Sequence, residues 1–322
     1  MAGPTLRGLE VLVTGATGFV GSAFVRHAVR EGAHVTILAR ASADLWRLAP
    51  VEGAYARLTG ALQSLESAPL DSSRLDVVVH CAAAGVDQTF DDVDELVATN
   101  VHGTLAALKL ALARRAGRFV LLGSSGEYGP GVGLTEDAPL RPTSEYGATR
   151  ASATLLARAF GARRGLDVTV VRPFAVYGPH EAAYRLVPYA ICQGLKGEPI
   201  RISSGAQTRD YLFVEDVADG IGRACVQPGA AGQVINLCSG RETAVRDIAS
   251  MIAQRTGGRS AVAAGARGEI PGEMWRTSGD PAKARELLDW SARTSLADGL
   301  ARTIDWFRRE GAALRHYADV AS

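Results

Sequence analysis

The stretch VTGATGFVG, residues 13–21, decides the fold of this chain. With the preceding EVL it reads as a buried strand, EVLVTG, that runs into a turn. Gly15, Gly18 and Gly21 are spaced three and three, and a helix from about Phe19 to Arg30 follows. Glycines let a backbone turn sharply and lie close to a pyrophosphate. The helix start then offers unpaired N–H groups and the positive end of its dipole. Three glycines alone describe many ordinary turns. Placed between a strand and a helix they point to a dinucleotide site. Its cradle is Gly15, Thr17, Gly18, Phe19, Val20 and Gly21.

Outward from that turn, short apolar runs alternate with helical patterns. HVTILA, DVVVHCAA, RFVLLGSS and DVTVVRP read as strands. Residues 91–115 and 144–164 carry apolar side chains at helical spacing. Such alternation builds a parallel sheet covered on both faces, and right-handed crossovers make it doubly wound. The fold class is therefore α/β, a Rossmann-type sheet. After Pro173 the pattern loosens into turn-rich segments, then a strand QVINLCS, a helix over 245–256, and a helix begun by Pro281 and capped by Asp280. We expect a dinucleotide-binding domain over 1–175 plus about 212–237. A smaller, interleaved substrate domain takes about 176–211 and 238–322.

Composition narrows the function classes. A formal net charge of +1 gives no electrostatic case for nucleic acid or an acidic membrane. Cys81, Cys192, Cys225 and Cys238 form no C-x-x-C pair, so neither a metal site nor a disulfide framework is expected. MAGPTLRGLE lacks a signal peptide's apolar core, and no uninterrupted apolar run reaches the ~18 residues of a spanning helix. The expectation is a cytoplasmic protein.

The second strand bears on the cofactor. An NAD site usually places an acid about 20 residues beyond the glycines, to hold the ribose hydroxyls. Here the strand ends Ala39-Arg40-Ala41-Ser42, and the next acid is Asp44. A guanidinium pairs with a 2′-phosphate, and Ser42 can add a hydroxyl. The reading is NADP(H) preferred, with NAD possible; a solvated arginine is the competing account of Arg40.

Six motifs occur in order along nearly the whole chain: TGATGFVG, HCAAAG, GSSGEYG, YGATR, RPFAVYGP and RDYLFVEDVADG. In that order they resemble the extended short-chain dehydrogenases/reductases, the sugar-nucleotide epimerase/dehydratase family. The resemblance implies that Tyr146 is the general acid/base and that Ser124, with Ser125 as close competitor, holds the reacting oxygen. It implies cofactor contacts at Ala82, Ala83, Tyr146, Arg150 and Pro173, and a homodimer formed through the helices around 91–115 and 144–164. Hydride chemistry at a carbinol carbon needs a proton moved at its oxygen, which the phenol can do.

Arg150 stands where the family has a lysine. A free phenol titrates near ~10, so poising it near neutrality takes ~4 kcal/mol. An arginine four residues on keeps a positive charge on the same helical face. It does not shed a proton, and its planar fork is larger than an ammonium. The charge role survives while a lysine proton relay does not, which tilts the chemistry towards reduction.

On the substrate side the resemblance assigns Arg209, and Arg185 as a second candidate, to a sugar nucleotide's diphosphate. Ala175 replaces a common family asparagine. IPGE (270–273) lacks the arginine that often precedes that glycine–acid pair, and Arg276 is the candidate substitute. The sequence looks most like the 4-ketoreductases of deoxysugar nucleotides. The leading expectation is NADPH-dependent reduction of a nucleotide-linked 4-keto-6-deoxyhexose. The alternatives are a sugar-nucleotide 4-epimerase, a non-catalytic NADP-binding protein, and a reductase of a non-nucleotide ketone.

Overall fold

A computed structural model describes residues 4–67, 75–86, 90–268, 274–310 and 315–317. Seven parallel strands form the main sheet, in the order Val234–Leu237, Val168–Pro173, Arg118–Leu122, Val77–His80, Glu10–Thr14, His34–Ala39, Ala56–Thr59. The chain leaves the first strand in one direction and returns on its other side at Val77–His80. That reversal opens a crevice at the strands' carboxyl ends, directly above the glycine-rich turn.

Strand periodicity explains the two faces. Val11 and Val13 face one way, with Val35, Ile37, Val77, Val79, Val120 and Val171. They pack on Phe24, Val25 and Ala28 of helix Phe19–Arg30 and on Val217 and Ile221 of helix Val214–Val226. Leu12, Leu38, Val78, Phe119, Leu121 and Val170 face the other way. They meet Ala107, Leu108 and Ala111 of Gly103–Ala113 and Ala153, Ala157 and Phe160 of Glu145–Arg164. Each fully buried large side chain contributes about 1.5–3 kcal/mol. The near-continuous apolar strands are what a sheet buried on both sides requires.

The helix expected over 144–164 runs Glu145–Arg164, with the Ser144 hydroxyl accepting from Gly147 N at 3.1 Å and Gly165 closing it at φ 68°. The helix expected over 91–115 differs. It begins at Val93, widens to a π-turn over Val97–His102, and continues as Gly103–Ala113. This run, Val93–Ala113, is long and apolar enough to cross a membrane by length and composition, and half of its most apolar window is buried inside the protein. Asp280 Oδ1 accepts from Ala282 N at 2.9 Å, so the helix it serves starts at Ala282, one residue after Pro281.

Outside the main sheet, helices Leu186–Lys196, Val245–Arg255 and Leu296–Arg309 share a separate apolar core built on Val187, Ile191, Ile248, Ile252, Leu300, Ile304 and Phe307. A four-stranded sheet of short segments, with Thr208–Arg209 at its middle, lies beside it.

Candidate active site

A cleft of about 620 Å³ opens above the carboxyl ends of the sheet. Gly15, Gly18, Phe19, Val20 and Gly21 contribute one part of its wall. Two of the glycines are fixed by packing: at Gly15, φ 69°, a Cβ would lie 2.4 Å from Ala82 N, and at Gly21 it would lie 2.1 Å from Gly15 O. Gly18 is different. A Cβ there meets only Gly15 O, at 3.2 Å, and otherwise opens into space.

The lining also carries Ser124, Ser125, Tyr146, Arg150 and Pro173. Ser124 ends the strand Arg118–Leu122 region as the cap of a short turn, its Oγ accepting from Gly126 N at 3.1 Å. Its hydroxyl hydrogen is left free to donate. Gly126 brings serine and tyrosine together: an added Cβ would lie 3.3 Å from Ser124 Oγ and 3.9 Å from Tyr146 Cδ1. Any side chain there would intrude between the two.

Behind Ser124 lies a closed polar network. Glu127 Oε1 accepts from Ser124 N at 2.9 Å, and Oε2 receives Arg172 Nε at 2.9 Å. Arg172 NH1 donates to Tyr128 OH at 2.7 Å, and Tyr128 OH donates to Asn236 Oδ1 at 2.8 Å. Burial pushes the Tyr128 phenol up to about 12, so it stays a neutral strut.

A second network supports the Cys81–Gly85 loop. The Thr104 hydroxyl donates to Asn100 O at 2.6 Å, so it must accept from His80 Nε2 at 3.1 Å. His80 Nδ1 is then the acceptor for Thr14 Oγ1 at 2.7 Å. Burial, then Arg150's charge, drives His80 down to about 3, which fixes this neutral form. Asn100, on the π-turn, clamps Ala84 through both its amide atoms and donates to Thr149 Oγ1 at 3.0 Å. Burial raises the Cys81 thiol to about 12, which disfavours the thiolate.

Arg150 is 1 % exposed. Its NH1 reaches Ala82 O at 3.5 Å and its Nε has no partner. A buried guanidinium with an orphaned N–H, in the wall of a cleft, is a donor waiting for a ligand acceptor. The glycine turn, the open face of Gly18 and this orphaned donor fit a nicotinamide dinucleotide. Among the described residues, no group of three or more His, Cys, Asp or Glu could hold a metal.

Further along the cleft lie Ala175, Arg185, Arg209 and Asp210. Arg209 NH1 is tethered to Thr208 O at 2.8 Å, and Arg185 Nε sits 3.5 Å from Glu181 Oε1. Asp210 accepts from Ser239 N, Ser239 Oγ and Gly240 N, which holds the 239–240 loop against this wall.

Several expected residues fall outside the wall. Arg276 is exposed and not among the residues lining the cleft, its guanidinium bound by Glu242 through Nε and NH2. Thr17 and Ala82 serve through their carbonyls, which accept from Arg47 NH1 and Arg150 NH1. Arg40 and Ser42 are exposed after the strand His34–Ala39 and are not part of the wall. Residues 270–273 lie outside the described residues. The motif reading missed Arg47, Asn100 and Glu181. An asparagine inside the apolar helix DELVATNVHGTL was the signal for Asn100.

Residues 11–238 match the NAD dependent epimerase/dehydratase family. A dTDP-glucose 4,6-dehydratase of Streptomyces antibioticus is 34% identical over 93% of this chain and 92% of its own. Epimerase Mth375 of Methanothermobacter thermautotrophicus superposes with a TM-score of 0.88 at 30% identity, over 95% of this chain and 94% of that one. DesIV, a dTDP-glucose 4,6-dehydratase of Streptomyces venezuelae solved with NAD bound, superposes with a TM-score of 0.85 at 28% identity, over 95% and 99%.

Proposed function

The chain belongs to the NAD dependent epimerase/dehydratase family, and on that premise we propose that it is an enzyme reducing a nucleotide-linked 4-keto-6-deoxyhexose with NADPH. The observation that carries the reading is the convergence of Tyr146, Ser124 and Arg150 on one cleft that also contains the glycine-rich turn. A bound nicotinamide supplies the hydride. Tyr146 gives its phenolic proton to the carbonyl oxygen as that oxygen gains charge. Ser124 donates a second hydrogen bond to the same atom. Arg150 stabilises the phenolate that remains until a solvent proton restores it.

Dehydration, the activity in the names of two relatives, needs a further acid–base pair to remove a proton and a hydroxyl from the hexose. In the Ser124–Glu127 turn, the one carboxylate is Glu127, and Arg172 and Ser124 N already occupy both its oxygens. That turn therefore offers no further acid–base pair, and the other carboxylates lining the cleft are Glu145, Glu181 and Asp210. Arg185 and Arg209 are the groups proposed for the substrate's diphosphate, in a substrate domain over about 176–211 and 238–322. The likeness to Epimerase Mth375 favours an epimerase as the second reading.

NADPH preference is supported by the absence of a free acid after the second strand. Asp44, the first candidate, accepts from Trp46 N at 3.1 Å and pairs with His316 Nε2 at 3.4 Å. A homodimer through the 93–113 and 145–164 helices is supported by the exposed Leu112 and Leu155. We place the enzyme in the cytoplasm. The deciding experiment supplies NADPH and a nucleotide-linked 4-keto-6-deoxyhexose. Stoichiometric loss of NADPH is expected. Interconversion of two nucleotide hexoses without net consumption would replace this reading with the epimerase.

A further inference from the structure

Arg47 lies on a short turn, Trp46–Val51, that follows the second strand of the sheet. Its side chain lines the same cleft as Gly15, Gly18 and Phe19. Its Nε donates to His180 O at 2.9 Å, and NH1 to Thr17 O at 3.3 Å, inside the glycine-rich turn itself. The guanidinium carbon sits 4.4 Å from the centre of the Trp46 ring, and Trp46 stacks on His316 at 4.5 Å. Arg26 NH1 holds the Arg47 carbonyl at 2.6 Å. The side chain is thus fixed from three directions before any ligand arrives.

Asp44 acts on the charge of Arg47 without forming an ion pair with it. Both acceptors named above are neutral carbonyls, and among the described residues no carboxylate forms an ion pair with Arg47. Burial lowers its hold on the proton. A partly desolvated cation without an ion-pair partner is costly. The neighbouring helix N-terminus adds positive potential. Both features call for an anion at the same place. Arg150 stands beside Ala82, at the chemical centre, and Arg40 is exposed outside the wall.

We propose that Arg47 is a binding residue for the dinucleotide's diphosphate, the part that NAD and NADP share. The inference rests on the reading of this cleft as a dinucleotide site. A fork held by His180 O and Thr17 O presents its remaining N–H groups in a set direction, which suits a phosphate oxygen. The bond to His180 O also joins the glycine-rich turn to the segment that follows Tyr177, so occupancy of the diphosphate site steadies both.

Calorimetric titration of the full chain with NAD⁺ and with NADP⁺ tests this. Arg47→Ala should weaken both cofactors by the same factor, about 10- to 100-fold. Arg47→Lys should fall between wild type and alanine, and Arg40→Ala should weaken NADP⁺ alone. The fluorescence of Trp46, next to the guanidinium, gives an independent binding signal. Unchanged affinities in Arg47→Ala, or a loss confined to NADP⁺, would overturn the assignment. If the alanine variant does not melt cooperatively, Arg47→Lys decides, and wild-type affinity in it sinks the idea. A wild-type chain that binds neither dinucleotide removes the dinucleotide reading itself, and this one with it.

Discussion

Arg172 and Glu127 form an ion pair sealed from water, with Nε and NH2 2.9 and 2.8 Å from one carboxylate oxygen. Glu127 is 0 % and Arg172 2 % exposed. The other oxygen of Glu127 takes the backbone N–H of Ser124. The pair therefore sets where the Ser124 hydroxyl stands. Removing one member leaves a buried charge alone, at a cost of about 3–5 kcal/mol. Glu127→Ala should lose that much in urea unfolding. Glu127→Gln with Arg172→Met should recover part of it. A loss in Glu127→Gln/Arg172→Met equal to the sum of the losses in Glu127→Gln and in Arg172→Met would show that the two side chains are not coupled.

Tyr146 and Ser124 differ in what they supply, so their variants should differ too. Tyr146→Phe removes the proton source and should lower kcat by about 10²–10⁴-fold. Ser124→Ala removes one donor to the oxygen and should cost about 10²–10³-fold. Both should still bind the cofactor. Single-turnover hydride transfer, read in the nicotinamide absorbance, separates these losses from binding. A Tyr146→Phe variant with full turnover would exclude the phenol from the chemistry.

Much of this architecture is legible in the residues, because it rests on local rules. EVLVTGATGFVG joins a period-two strand to a helix through glycines, and the structure places that helix at Phe19–Arg30 as read. Ser144 announces the helix of Tyr146 by the same local capping logic. What the sequence hides is long-range. Arg276 has the right charge, but Glu242, thirty-four positions earlier, captures it. Arg47 looks like any surface arginine until the fold sets it against Thr17 and His180. The π-turn that carries Asn100 lies where that side chain bonds Ala84 and Thr149, which are distant or unmarked in the sequence.

Arg150 tests whether charge or proton exchange matters at the chemical centre. Its guanidinium is buried in the wall of the cleft. If charge is the requirement, Arg150→Lys should keep turnover within about tenfold, whereas Arg150→Met should lose ~100-fold or more, as for a lost charge-assisted contact in the transition state. Cofactor affinity should fall in the methionine variant. A large gain in Arg150→Lys would show instead that arginine impairs this site.

Glu181 gives the molecule a pH dependence that can be isolated. Its carboxyl is 4 % exposed, and Oε2 has no partner. Burial raises it from 4.5 to about 7, with Arg185 only partly opposing. Between those values the unfolded chain has released a proton that the native chain keeps. Stability should therefore fall as pH rises through that window, by about 1.4 kcal/mol per pH unit, and level off above it. His80 and His180, both held near 3 chiefly by burial, act in the opposite sense. The unfolded chain protonates them first on acidification, so their share of stability is lost as pH falls below the ordinary histidine value. Wild type alone mixes these effects. The difference between Glu181→Gln and wild type removes the histidine part, because both proteins carry it. Urea midpoints at about pH 5 and about pH 8 should show the variant gaining roughly 2–3 kcal/mol on wild type over that interval. A difference that stays constant with pH would mean that Glu181 ionises in the native protein as freely as in the unfolded chain.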